Sequence, residues 1–250
     1  MSPDKKKSKR QMMREKRERR AKIQRFGVIG VIVVAALLVA FLLIYPNLKP
    51  IGEVITMTPH AYSQVDGTTL GNSEAKVSVD VWEDFQCPAC RNFSENIEPL
   101  IVQNYVDTGK VSYTFHQYPF IDDFASTKES DQSANASMCA AEQNRFWDYK
   151  EILFANWIGE NVGSYTDRRL VAFAEAISLD MDAFKGCFNE NRYKEEINQD
   201  FEAGKNLDIG STPSIFVNGQ RVLNAQGANY IPSYDDIAAA IEAALVEAGQ

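Results

Sequence analysis

Cys87, Pro88, Ala89 and Cys90 set two thiols one helical turn apart, where a strand-like run (Val77, Val79, Val81, Trp82) gives way to a helical pattern (Phe93, Ile97, Leu100, Ile101). A helix N-terminus offers unpaired N–H groups and a partial positive charge, which favour thiolate over thiol on the first cysteine. Cys87 therefore reads as a nucleophile. Cys90 lies within disulfide reach on the same face, and Pro88 takes the first helical position, where its missing N–H goes unmissed. The four residues predict a redox couple working by thiol–disulfide exchange, with the Cys87–Cys90 disulfide as the redox group and no separate cofactor.

The same spacing occurs in zinc ribbons, but those need a second pair to complete four ligands. The other cysteines, Cys139 and Cys187, are isolated, so no metal site is expected. The two histidines, His60 and His116, fall in a linker-like stretch and in a strand-like run, which supports neither a Cys–His hydrolase nor a His-based metal site.

The elements that must hold the cysteines follow from periodicity. A strand over about 76–82, a helix over about 87–106 and a strand over about 110–118 imply a parallel crossover pair. A helical stretch over about 126–203 carries apolar stripes, including Phe146, Tyr149 and Leu153 and later Leu170, Phe173, Ala174 and Ile177. Phe146, Trp147 and Tyr149 read as core of that stretch, with a substrate groove as the alternative. Ser214–Val217 and Gln220–Leu223 flank Asn218-Gly219, a strong two-residue hairpin turn. A last helix from about Tyr234, with Ser233 and Asp236 as its cap, would bury Ile237, Ile241 and Leu245. The fold class is α/β: a thioredoxin fold with a helical insertion at about 124–206.

Residues 26–45 form an uncharged apolar run. At about 1.5 Å per residue, such a helix spans the roughly 30 Å of bilayer hydrocarbon. Residues 1–25 hold twelve bases against three acids, which keeps that flank in the cytoplasm and the rest outside. Leu43 to Leu48 offers no small-residue cleavage site, favouring an uncleaved anchor over a signal peptide. The basic arm is read as a topology signal facing anionic lipid; no nucleic-acid partner is expected. The remaining 31 acids and 14 bases lie beyond the run, a net charge near −17 that repels acidic partners. Residues 46–75, with Pro46, Pro50 and Pro59 and little periodicity, read as an extracytoplasmic tether with a few ordered turns. Fully extended it would reach roughly 100 Å from the lipid. Residues 76–250 suffice for one domain with a substantial core.

Over about residues 70–250 the chain resembles the DsbA-like thiol-disulfide oxidoreductases of the membrane-anchored extracytoplasmic kind. The resemblance rests on Asp84-Phe85-Gln86-Cys87-Pro88-Ala89-Cys90, on Phe146-Trp147-Asp148-Tyr149 with Leu153-Phe154, and on Gly210-Ser211-Thr212-Pro213-Ser214 with Phe216-Val217-Asn218-Gly219. Leu70-Gly71-Asn72 resembles the family's lead-in to its first strand. The resemblance implies a cis Thr212–Pro213 bond beside the thiols, with the Thr212 backbone free to pair with an extended substrate and metal ions kept away. Some relatives pair cysteines at places like Cys139 and Cys187, which implies a structural disulfide there; two buried free thiols are the alternative. The family often buries an acid six residues before its first cysteine. Here that position is Val81, and the nearby Glu83 and Asp84 read either as substitutes acting through water or as two solvated acids at a strand end.

These features imply a membrane-tethered dithiol oxidase acting on cysteine-containing exported proteins, with a membrane-embedded partner to reoxidise it. Alternatives are a disulfide reductase or isomerase, or a non-catalytic peptide-binding or chaperone module whose C-x-x-C is a stabilising disulfide. Ala89 brings no imidazole to the position where strongly oxidising relatives carry histidine, which implies a milder oxidant.

Overall fold

The computed structural model describes residues 9–48, 50–58, 62, 64–224 and 231–249; His60 lies outside them. The chain divides into two units, residues 1–52 and 53–250.

The first unit contains one helix, α1 (Lys9–Leu48). Its apolar part is solvent-exposed along its length and is long enough to cross a membrane. The helix starts well inside the basic arm rather than at the apolar run.

The second unit is built on a six-stranded sheet. Its strands are β1 (Val65–Asp66), β2 (Thr69–Leu70), β3 (Val77–Glu83), β4 (Val111–Gln117), β5 (Ser214–Val217) and β6 (Gln220–Arg221), in the order β1-β2-β4-β3-β5-β6. Only β3 and β4 run parallel, from Val77 opposite Val111 to Glu83 opposite Gln117; the other pairs are antiparallel. The stretch read as tether thus contributes two short edge strands, and Leu70 at their end is buried. At Asn218-Gly219 both residues have positive φ (48° and 75°), as a type I′ turn requires. β6 ends at Arg221, two residues short of the expected strand.

The crossover from β3 to β4 is not one helix. It consists of α2 (Pro88–Asn96), α3 (Glu98–Ile101) and a π-helical turn over Val102–Val106. Pro99 explains the break, because its ring clashes with the carbonyl four residues back and it supplies no N–H. A 3-10 turn (Phe120–Phe124) leads into five helices: α4 (Glu129–Ala141), α5 (Phe146–Ala155), α6 (Asp167–Ala176), α7 (Met181–Asn189) and α8 (Lys194–Asn206). Phe146, Trp147 and Tyr149 are buried in this insert. A disulfide joins Cys139 on α4 to Cys187 on α7, with Cα atoms 5.8 Å apart. The last helix, α9 (Tyr234–Glu247), begins in a reciprocal Ser233–Asp236 capping box and buries Ile237, Ile241 and Leu245.

Candidate active site

The site forms where β3 ends. Cys87 is the N-cap of α2, and Pro88 fills the first turn. β5 runs antiparallel to β3 with Ser214 opposite Trp82, so Thr212 and Pro213, just before β5, arrive beside the cysteines. The Thr212–Pro213 peptide bond is cis. Cys87 Sγ lies 3.4 Å from the Thr212 carbonyl oxygen.

Cys87 and Cys90 are both free thiols, and their environments differ in effect. The Cys90 thiol donates toward Cys87; with help from Thr212 and from the Cys90 and Ala89 N–H groups, this brings Cys87 down to about 6 against the opposing effect of burial. Cys90 is fully buried. Burial first, then its hydrogen bond to Cys87 and the charges of Cys87 and Glu83, push its thiol well above the ordinary value. One sulfur is therefore a thiolate at neutral pH and the other a thiol, the division of labour that thiol–disulfide exchange needs.

Glu83 and Asp84 are not solvated acids at a strand end. Both are buried, because the insert closes over the end of β3. Alternation sends them to different surroundings. Asp84 accepts from Gln86 N (2.8 Å), Ile121 N (3.0 Å) and Ser130 Oγ (2.7 Å), yet burial still raises it to about 7. Glu83 lies against Cys90 and 3.9 Å from Lys150 Nζ; burial holds it up at about 8 despite the ammonium.

The insert also grips the backbone that leads into Cys87. Tyr165 donates its hydroxyl to Phe85 O at 3.0 Å, and Trp157 Nε1 donates to Gln86 O at 2.7 Å. The Gln86 side chain is buried: its Oε1 accepts from Asn161 N at 2.7 Å, and its Nε2 donates to Ser130 Oγ and Asp122 Oδ1. His116 stacks on Trp82 between Asp80 and Asp200, each 3.2 Å away, and these carboxylates raise it to about 9 although burial opposes them.

Gln86, Glu98, Ser130, Lys150 and Trp157 were not marked as site residues by sequence reasoning. Lys150 carried the clearest signal. It is a lone cation in an apolar helical stripe, with Phe146 and Trp147 one turn before it and Leu153 and Phe154 one turn after.

Residues 63–243 match the family model described as Thioredoxin. The "Probable disulfide bond formation protein D" of Bacillus cereus is 29% identical over 181 residues, covering 71% of this chain and 78% of that protein. The "Disulfide bond formation protein D" of Bacillus subtilis is 26% identical over 179 residues, covering 70% and 76%. Among solved structures, oxidised BdbD from Bacillus subtilis superposes with a TM-score of 0.62 at 25% identity, covering 72% of this chain and 93% of that one. DsbA of Chlamydia trachomatis shares the fold, with a TM-score of 0.57 at 22% identity over 75% and 96%. A family match over more than half the chain, relatives that make disulfide bonds, and two thiols of opposed acidity at a helix start lead to one conclusion: the chain belongs to the thioredoxin family, as a DsbA-like thiol-disulfide oxidoreductase.

Proposed function

We propose that this oxidoreductase introduces disulfides into exported proteins from a domain held outside the cell membrane by α1, with the basic arm in the cytoplasm. In this reading residues 1–25 are the arm, 26–45 the transmembrane span, and 46–75 an extracytoplasmic stretch whose β1 and β2 strands join the sheet of the catalytic domain, which runs on over 76–250. The observation that carries it is the stabilised thiolate of Cys87 beside the Thr212 carbonyl. A group that holds negative charge this well is a good leaving group, so a mixed disulfide at Cys87 passes its bond on to the substrate.

The steps follow from the two sulfurs. A substrate thiolate attacks Cys87 Sγ of the Cys87–Cys90 disulfide, and Cys90 leaves with the electron pair. A second substrate thiolate attacks the first substrate sulfur and releases Cys87 as thiolate. Pro88 and Ala89 set the spacing between the sulfurs, while Thr212 and Pro213 form the surface against which the extended substrate lies. The Cys139–Cys187 bond braces the insert and takes no part in exchange. No cofactor beyond the Cys87–Cys90 disulfide is needed. Each turnover leaves that pair reduced, which implies a membrane-embedded partner that reoxidises it.

Refolding of RNase A tests this. The protein should form native disulfides starting from fully reduced RNase A, and Cys87→Ser should not. Activity on scrambled RNase A alone would make it an isomerase; none on either substrate would leave a binding module.

A further inference from the structure

The chain that leads toward β1 is bound to the insert through its backbone. The Asn156 side chain accepts from Ile55 N at 2.8 Å and donates to Ile55 O at 2.8 Å, so one amide holds both polar groups of one residue. The Ile55 side chain is 54% exposed, while Val54 packs against the core. Further along, Tyr62 donates to Glu151 Oε1 at 3.1 Å, and its ring lies 5.7 Å from that of Trp147. Main-chain hydrogen bonds of this kind hold a peptide whatever its side chains.

Asn156 is itself anchored. It caps the C-terminus of α5, its Nδ2 also donates to Ile152 O at 2.9 Å, and its carbonyl accepts from Arg169 Nη2 at 2.8 Å. The next residue is Trp157, whose indole N–H donates to Gln86 O, and whose ring lies under the Arg91 guanidinium at 5.6 Å. The peptide between Gln86 and Cys87 is thereby held at both ends. Trp157 holds its oxygen, and its N–H donates to Asp84 O at 3.0 Å. The plane of that peptide fixes where Cys87 enters α2, and so aims Sγ at the Ala89 and Cys90 N–H groups that stabilise its charge.

We propose that residues 53–58 are a strap that, through Asn156 and Trp157, holds the Gln86 carbonyl in place and so sets the reactivity of Cys87. Asn156 and Trp157 are positioning residues in this scheme, acting on the sulfur through the Gln86–Cys87 peptide. A brace for the insert alone would affect stability only. This one is seated one residue from the group that holds Gln86, so its effect reaches the sulfur. The titratable groups facing Cys87 are Cys90 on α2 and Glu83 and Asp84 at the end of β3. None of them belongs to the strap or to the loop that carries Trp157, so the strap acts through geometry rather than charge.

The test is thiolate absorbance at 240 nm of the reduced full-length protein, titrated from about pH 4 to pH 9. Trp157→Phe removes the indole N–H and should raise the Cys87 midpoint by about half a unit to one unit, the worth of one hydrogen bond. Ile55→Pro removes the strap N–H and should raise the midpoint by a smaller amount, whereas Ile55→Val keeps that N–H and should titrate as wild type. Independent effects at separate sites add. Because the strap acts through Trp157, the double variant Ile55→Pro with Trp157→Phe should instead titrate like Trp157→Phe alone. A wild-type midpoint from Ile55→Pro, or a double-variant shift equal to the sum of the two, would overturn the proposal. In Ile55→Pro the Trp157 indole proton should also exchange with D2O about tenfold faster than in wild type, followed by NMR. An unchanged exchange rate overturns the proposal even where Trp157→Phe does not fold. The inference deepens the oxidoreductase reading by naming what positions its nucleophile, and the Cys87 midpoint is read whatever the RNase A result, so the two fail separately.

Discussion

Lowering the pH from 8 to 5 should remove a stabilisation that the reduced protein has and the oxidised protein lacks. Cys87 is 6% exposed and is brought from 9.0 to about 6 in the folded state. A depressed acid contributes stability that is fully present above its unfolded value and is lost as pH falls through its folded value. The window therefore runs from about pH 9 down to about pH 6. Each unit is worth about 1.4 kcal/mol. Between pH 8 and pH 5 the reduced form should lose about 3 kcal/mol relative to the oxidised form, whose Cys87 does not titrate. Subtracting the oxidised protein removes the shared effect of Glu83 and Asp84. The exception is the part that the Cys87 charge itself imposes on them, which makes about 3 kcal/mol an upper value. Urea unfolding of both forms at each pH measures the difference, and thiolate absorbance at 240 nm gives the midpoint independently. A reduced-minus-oxidised difference that stays flat between pH 5 and pH 8, or a midpoint near 9, would refute the assignment of Cys87 as the stabilised sulfur.

Three further outcomes are expected. Ala89→His places an imidazole between the cysteines, where it can further stabilise the Cys87 thiolate, and should make the reduction potential less negative in a glutathione titration; an unchanged or more negative value counts against this. Replacing Cys139 and Cys187 together by Ala opens a loop with a sequence separation of 48 and should cost about 4 kcal/mol of stability in urea, without loss of Cys87 reactivity toward iodoacetamide. Gly204→Ala would put its Cβ 2.6 Å from Tyr118 Cε2 and 3.0 Å from Trp82 Cδ1, so thermal unfolding should show a loss of about 1–3 kcal/mol, while a neutral result would mean that α8 can shift away from the sheet.

What was legible in the chain, and what was not, divides along the range of the interactions. The strand before Cys87, the Asn218-Gly219 turn and the Ser233–Asp236 cap are set by neighbours within a few positions, and each stands in the fold at or within two residues of its sequence signal. The helical stretch expected over 126–203 is helical, but where it breaks was not marked. Three of its four breaks fall at Asn144, Ser178 and Asn191, which take positive φ without glycine to mark them and so give a weaker stop signal, whereas the break between α5 and α6 holds Gly159 and Gly163. The charges around the thiols were a different problem. Glu83 and Asp84 looked exposed because a strand end usually is, and only the insert, from residues more than 35 positions away, closes over them. Lys150 and Glu98 are 52 positions apart and find each other in the core. A nucleophile can be read from a helix start, but the charged groups packed around it are chosen by tertiary structure. For that reason the reactive sulfur could be named from four residues, whereas the buried charges beside it became visible only when β3, α3 and α5 were seen to converge.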